Sequence, residues 1–184
     1  MQVFYDTLRP LAGEIHTIDN AKWWIDLETG ESLLETRDRL ALLMLVVTEV
    51  SEYQDGLESQ IRDQHLPDHM NWEVELADIA IRLLDMIGAE QVRFANTELG
   101  RVATREAASV KHLVSALSLA AESYRKERFA VYRKVLNTAL AITCHMASSR
   151  GCNLVQIVEA KRAFNRTRAD HSHEARRAAG GKKQ

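Results

Sequence analysis

Two pairs of acidic residues lie at a spacing that suits metal chemistry. Glu49 and Glu52 are three residues apart, and so are Glu75 and Asp78 after a short polar segment. Each pair lies in a segment with helical periodicity, and residues three apart share one helix face. Two antiparallel helices would gather four carboxyl groups, whose mutual repulsion favours a divalent cation. Because all the ligands are oxygens, we expect Mg²⁺, with Mn²⁺ possible, and chemistry on a phosphate compound.

The composition of the chain indicates an all-α protein. Its 184 residues include only two prolines and eight glycines, and helix-forming Ala, Leu, Glu and Arg are abundant. With 46% hydrophobic and 27% charged residues, the balance is that of an ordinary globular chain. The net charge of −2 gives no overall attraction to nucleic acid, so nucleic acid is not expected as a partner.

Cysteine use and hydropathy indicate a cytoplasmic protein. Cys144 and Cys152 are too few for a disulfide framework, and with His145 they lack the spacing of a zinc site. The first ten residues lack the apolar region of a signal peptide. The longest apolar run, at 40–47, is far too short to span a bilayer, so no membrane partner is expected.

Hydrophobic periodicity predicts a series of helices and a basic tail. The approximate bounds of the helices are 2–17, 36–56, 70–88, 104–126, 128–149 and 154–168. Beyond Arg168 the chain has no apolar period and is rich in Arg and Lys, which predicts a mobile segment. We therefore divide the chain into one domain, 1–168, and a mobile basic tail, 169–184.

Each of the first two long helices carries an acidic row beside a core row. In 36–56 the predicted core row is Leu40, Leu43, Met44 and Val47, and the second row is Leu42, Leu45, Glu49 and Glu52. In 70–88 the core row is Leu76, Ile79, Ala80, Leu83 and Ile87, and the charged row is Glu75, Asp78, Arg82 and Asp85. This pattern predicts a polar pocket beside the core. The alternative is a solvated acidic face on which Asp78 and Arg82 form a surface pair.

The ordered motifs resemble those of a known family. Glu49-x-x-Glu52 followed by Glu75-x-x-Asp78 resembles the acidic motifs of the all-α NTP pyrophosphatase superfamily. Lys161-x-x-Phe164-Asn165-x-x-Arg168 is similar to a motif of its MazG-like branch. Pieces similar to bacteriophage-type members of that branch are Lys22-Trp23-Trp24-x-Asp26-Leu27-Glu28-Thr29-Gly30, Glu73-Val74-Glu75-Leu76-Ala77-Asp78, Asn165-x-x-Arg168-Ala169-Asp170-His171 and Gly180-Gly181-Lys182. The resemblance covers about 20–88 and 158–183.

The resemblance implies a helical bundle that hydrolyses a nucleoside triphosphate, NTP or dNTP, to the monophosphate and pyrophosphate. In that family Mg²⁺ is held by the four acids and binds the phosphates, and a water attacks phosphorus. The resemblance also implies oligomers, and two long amphipathic hairpins favour a homodimer or a dimer of dimers. For a phage-encoded chain the location would be the host cytoplasm.

One position departs from the pattern of the family. Many relatives have a third Glu directly before the first acidic pair, where it is proposed to activate the water. This chain has Thr48 there, and a threonine hydroxyl cannot act as a base at neutral pH. Either Glu49 or Glu52 therefore doubles as the catalytic base, or the metal alone activates the water.

The remaining motif residues are candidates for substrate binding. Lys161 and Arg168 would contact phosphate oxygens, and Asn165 would hydrogen-bond the sugar or base. Trp23 and Trp24 are either core or interface anchors or a platform that stacks on the base. The candidates in the tail are Asp170, His171 and Lys182, which either order the tail over the ligand or belong to a solvated end.

Two other functions were weighed against this one. A di-iron or di-manganese bundle needs a Glu-x-x-His pair on each of two helices, and neither Glu49 nor Glu75 is followed by His at that spacing. A non-catalytic helical protein that binds nucleotide or nucleic acid through its basic tail remains the alternative. Metal-dependent release of pyrophosphate separates that alternative from the enzyme.

Overall fold

The computed structural model describes residues 2–94 and 109–178, and it confirms an all-α fold. Within these ranges the extended pairing is limited to two isolated β-bridges, Ile25–Ser32 and Arg62–Met70. The α-helices are α1 (Gln2–Leu8), α2 (Ala12–Glu14), α3 (Arg39–Ser59), α4 (Asn71–Phe94), α5 (Val110–Arg125), α6 (Phe129–Ser149), α7 (Leu154–Thr167) and α8 (His173–Arg177). The predicted helices are present, although the expected start near 104 lies outside the described residues.

The N-terminal segment is helical almost without interruption and packs against α4. A 3₁₀ turn at Arg9–Leu11 follows α1, and a π-helical stretch at Ile15–Asp19 follows α2. The helix α4 passes so close to this segment at Gly88 that an added Cβ would clash with the carbonyl oxygen of Ala12. Glycine at this position therefore brings the N-terminal segment, and the loop after it, close to the α3–α4 hairpin.

Helices α3 and α4 form an antiparallel hairpin around which the bundle is built. Asp38 caps α3 by accepting hydrogen bonds from the backbone N–H groups of Leu40 and Ala41. At the same end of the hairpin, the buried ion pair between Arg39 Nε and Glu90 Oε1, 3.0 Å apart, joins the start of α3 to the last part of α4. This antiparallel arrangement places the acidic rows of the two helices side by side.

The other helices cover the remaining sides of α4. It contacts α6, α7 and α2 in addition to α3, and α5 packs against α6. The predicted core row of α4 is buried throughout, as are Leu113, Leu117 and Ala120 of α5 and Leu136 and Leu140 of α6. Because α4 is enclosed on most sides, its charged row faces the side that remains open to the pocket.

The predicted core row of α3 is partly wrong. In α3 the buried side is Leu43, Val46, Val50 and Tyr53, whereas Leu40 and Met44 are 37% and 62% exposed. Apolar residues on α3 occupy more than one face, and only the packing of α4 and α5 decides which of those faces is covered.

The two cysteines are free thiols, as the sequence predicts. Cys144 and Cys152 are free and buried, and burial raises the pKa of each thiol to about 12. Across the part of the chain that the structure describes, none of the helices combines the length and the apolar character that a membrane span requires.

Candidate functional site

A pocket with a volume of about 510 Å³ lies between α3, α4 and α7. Acidic residues of α3 and α4 form one wall, and polar and basic residues of α7 form another. The loop before α3, the loop between α3 and α4 and the start of the tail complete it. The residues that line it are Asn20, Trp23, Arg37, Leu42, Leu45, Glu49, Glu52, Asp63, His65, Glu75, Asp78, Ile81, Arg82, Asp85, Met86, Lys161, Asn165, Arg168 and His171.

Both predicted acidic rows line this pocket. The row on α3 begins with Leu42 and Leu45 and ends in Glu49 and Glu52. Carboxylate oxygens of Glu49, Glu52 and Glu75 all lie within 4.8 Å of one another. Glu49 and Glu75 are buried and Glu52 is exposed, so the cluster lies where the pocket opens to solvent.

The fourth predicted ligand, Asp78, lies in the same pocket with its carboxylate on a lysine. Asp78 Oδ2 is 2.7 Å from the Nζ of Lys161, which is itself buried. Burial raises the pKa of Asp78, although the ammonium of Lys161 acts in the opposite direction. The structure thus divides the predicted set into a group of three carboxylates and a lysine-bound aspartate.

Arg82 pairs with an acid of the other helix. Its Nε donates to Glu49 Oε1 at 2.6 Å, which links α4 to α3. Arg82 therefore binds Glu49 and does not form the alternative surface pair with Asp78. Asn71 Nδ2 donates to Glu75 Oε1 at 3.1 Å and orients that carboxylate from one turn earlier on α4.

The cluster has the electrostatics that a divalent cation would relieve. Burial, and then the negative charges of Asp78, Glu49 and Glu52, raise the pKa of Glu75 to about 8, and Lys161 opposes the shift. The donors are carboxylate oxygens only, which are the ligands that Mg²⁺ and Mn²⁺ prefer. Glu49, Glu52 and Glu75 therefore fit a hard divalent cation, with Asp78 close by.

The predicted α7 motif lines the same pocket as the acids. Lys161 and Asn165 are four residues apart on one face of α7, and Arg168 follows directly after the helix ends at Thr167. Asn165 Oδ1 is buried, and among the described residues it has no hydrogen-bond partner. A buried acceptor of this kind usually binds an ordered water or a ligand.

Asp170, a predicted substrate-binding residue, contacts Arg168. It does not line the pocket, but its two oxygens accept hydrogen bonds from Arg168 Nε at 3.0 Å and Nη2 at 2.6 Å. Asp170 therefore orients the guanidinium of Arg168, which does line the pocket. His171 lines the pocket as expected, and Lys182 lies outside the described residues.

The two tryptophans have separate roles. Trp23 lines the pocket. Trp24 is only 4% exposed, and its Nε1 donates to both oxygens of Asp85 at 2.9 and 3.1 Å. The guanidinium of Arg39 lies 4.9 Å from the centroid of the Trp24 ring, and His16 Nδ1 is 2.9 Å from Asp85 Oδ1. Of the two alternatives for Trp24, the structure supports the core anchor, because its ring is enclosed, binds Asp85 and does not line the pocket.

The first part of the tail packs against the domain. Residues Ala169–His171 form a 3₁₀ turn and α8 follows. The guanidinium of Arg176 lies 4.1 Å from the centroid of the Trp23 ring and donates to the carbonyl oxygen of Lys22. Arg177 donates to the carbonyl oxygen of Leu27. Residues 169–178 therefore pack on the domain in this structure, through the buried Arg176, and the mobility of the tail stays a prediction.

Among the pocket-lining residues that sequence reasoning missed are His65 and Arg37. The ring of His65, in the α3–α4 loop, stacks on Phe164 with centroids 4.8 Å apart. Arg37 Nη1 donates to the Trp23 carbonyl oxygen, and its buried Nε has no hydrogen-bond partner among the described residues. The position of His65 between the two acidic motifs was a usable signal, whereas Arg37 belongs to no motif.

The different roles of the tryptophans lead to a stability prediction. We expect Trp24→Phe to lower the free energy of unfolding by roughly 1.5–3 kcal/mol, because Asp85 would lose a hydrogen bond to a charged group. Urea denaturation followed by circular dichroism measures this. The matched control is Trp23→Phe, which retains a ring for Arg176 and should cost less than about 1 kcal/mol. Equal losses in the two variants would contradict the separate roles.

Comparison of the chain with profiles of known protein families, with curated proteins and with solved structures found no match.

Proposed function

We propose that this protein hydrolyses a nucleoside triphosphate, NTP or dNTP, to the monophosphate and pyrophosphate with Mg²⁺ as its cofactor and Mn²⁺ as a substitute. One observation carries the proposal: three clustered carboxylates line a single pocket together with Lys161, Asn165 and Arg168. The volume of about 510 Å³ is within the range of small-molecule sites. A metal-binding wall and a phosphate-binding wall in one pocket are the arrangement that phosphoryl chemistry requires.

The cation would be held by Glu49, Glu52 and Glu75, with Asp78 as the additional acid. When bound, Mg²⁺ supplies neutralisation of phosphate charge and a lower pKa for water. Lys161 is held in place by Asp78, so its ammonium is fixed at the edge of the acidic cluster. Arg168 is held by Asp170 and presents its guanidinium to the phosphates.

Glu52 is the better candidate for the catalytic base. Glu49 is buried, which restricts the access of water to its carboxylate. Glu52 is exposed at the mouth of the cluster, where water has access. Thr48 is exposed and donates its hydroxyl to the carbonyl oxygen of Met44 at 3.1 Å, and it does not line the pocket. Glu52 would thus accept the proton of the water that attacks the α-phosphorus.

The nucleoside end of the substrate would lie toward Trp23. Arg176 covers one face of that ring, and the ring also lines the pocket, which supports stacking of a base on it. Asn165 would accept a hydrogen bond from the sugar or base through its buried Oδ1. The exposed apolar side chains of Leu40, Met44 and Leu119 support the proposed homodimer or dimer of dimers.

Product analysis tests the proposed reaction. The protein is incubated with a panel of canonical and modified NTPs and dNTPs, with Mg²⁺ or with a chelator, and the products are separated by ion-exchange chromatography. We expect a nucleoside monophosphate and pyrophosphate in equal amounts, only with the metal. Release of orthophosphate would contradict the cleavage site. Nucleotide binding without turnover across the whole panel would favour the non-catalytic alternative.

A further inference from the structure

We propose that Arg82 is a substrate-binding residue that competes with the metal for Glu49. On this view the cation displaces the guanidinium of Arg82 from the Glu49 carboxylate, and Arg82 then binds a phosphate of the substrate. The inference rests on the proposed function and adds a residue that no sequence motif assigned. It gives the Arg82–Glu49 pair a role in ordering the binding events.

The guanidinium of Arg82 and the proposed cation would share one carboxylate, that of Glu49. Arg82 Nε donates to Glu49 Oε1 at 2.6 Å, and Nη2 lies 2.5 Å from the same oxygen. A carboxylate oxygen of Glu49 is also part of the cluster with Glu52 and Glu75. A divalent cation in that cluster would lie a few ångströms from the guanidinium, and two positive charges in a partly buried site repel strongly.

Two basic side chains, Lys161 and Arg82, bind acids of the pocket, and their burial decides which of them can leave its acid. The side chain of Lys161, bound to Asp78, is 9% exposed and enclosed by α4 and α7. The side chain of Arg82 is 38% exposed, although its partner Glu49 is only 8% exposed. Arg82 can therefore move within the pocket without disturbing the core, whereas Lys161 remains in place beside Asp78.

The position of Arg82 on α4 gives the released side chain access to the substrate. It lies one helical turn beyond Asp78 and two turns beyond Glu75 on the same face, and all three line the pocket. One turn further, Asp85 is engaged by Trp24 and His16 and so is not available to hold it. A phosphate near the cluster is then a suitable acceptor, because a guanidinium binds two phosphate oxygens at once.

Metal binding without nucleotide tests the competition. Mn²⁺ titration by calorimetry compares the wild type with Arg82→Gln and with Arg125→Gln, which removes an exposed Glu122 pair on α5. We expect Arg82→Gln to bind Mn²⁺ at least tenfold more tightly and Arg125→Gln to match the wild type. A lower affinity of Arg82→Gln for Mn²⁺ would mean that Arg82 holds Glu49 in position for the metal. Either a lower or an unchanged affinity would overturn the proposal.

Inorganic pyrophosphate tests the second half of the proposal. With Mn²⁺ saturating, we expect Arg82→Gln to bind pyrophosphate at least tenfold more weakly and Arg82→Lys to bind with intermediate affinity. Unchanged affinity for pyrophosphate would overturn the phosphate contact. Neither titration needs turnover, so a wild-type protein that binds Mn²⁺ but hydrolyses nothing would overturn the proposed function alone. A wild type that does not bind Mn²⁺ would overturn this inference, and thermal unfolding checks that each variant is folded.

Discussion

Replacing Glu75 with Gln is expected to abolish pyrophosphate release and, with the metal chelated, to make the protein more stable at alkaline pH. The loss of activity should be at least about a hundredfold, because the metal's charge stabilisation is worth several kcal/mol. The gain in stability follows from burial and from the neighbouring acids, which raise the pKa of Glu75 to about 8 from an ordinary value of 4.5. Assays of pyrophosphate release and thermal melts in chelator measure the two effects.

The direction of the pH dependence follows from the raised pKa. Below pH 4.5 the carboxyl group is protonated in both states and has no effect on stability. Between pH 4.5 and about 8 the unfolded chain releases this proton while the folded protein keeps it, so the wild type loses stability as pH rises. The Glu75→Gln variant lacks this titration. Its melting temperature should therefore match the wild type below pH 4.5 and exceed it at pH 8.

Two comparisons make this result specific. Glu58→Gln removes an exposed acid on α3 that is outside the candidate metal site, and it should change neither activity nor the pH dependence. Glu52→Gln should abolish activity without the large alkaline gain, because Glu52 is exposed. Full turnover in both Glu75→Gln and Glu52→Gln would refute the site. A fall of many degrees in either melting temperature would identify that acid as structural.

Truncating the chain after Arg168 is expected to raise KM at least tenfold and also to lower the melting temperature. The truncation removes Asp170, which orients Arg168, and Arg176, which packs on Trp23 and binds the Lys22 carbonyl oxygen. A buried hydrogen bond to a charged group and a cation–π contact are together worth roughly 2–5 kcal/mol. For a chain of this size that corresponds to a fall of roughly 4–20 °C. Steady-state kinetics and differential scanning calorimetry measure both effects.

A second truncation, after Ala178, distinguishes the contribution of 169–178, which pack on the domain, from that of the last residues. It retains α8, the contacts of Arg176 with Trp23 and Lys22 and that of Arg177 with Leu27, so the melting temperature should be unchanged within about 1 °C. If this shorter truncation alone raises KM, the phosphate contacts belong to the last residues, Lys182 among them. A chain ending at Arg168 with an unchanged melting temperature would instead support the mobile tail that the sequence predicts.

The sequence by itself determined the all-α fold and the residues of the acidic walls. These properties are local, because helical periodicity and the spacing of residues along one helix follow from the backbone geometry. The rows that end in Glu49 and Glu52 and that carry Glu75 and Asp78 therefore line one pocket, as predicted. The resemblance pointed to Lys161, Asn165 and Arg168, and all three line the same pocket.

Only the tertiary structure decided the partners of these residues. Trp23 and Trp24 are adjacent in sequence, yet one lines the pocket and the other anchors Asp85, 61 residues away along the chain. Arg82 binds an acid 33 residues away, and Arg176 binds a carbonyl oxygen 154 residues away. Local periodicity identifies the face on which a side chain lies, but contacts between elements distant in sequence decide what covers that face.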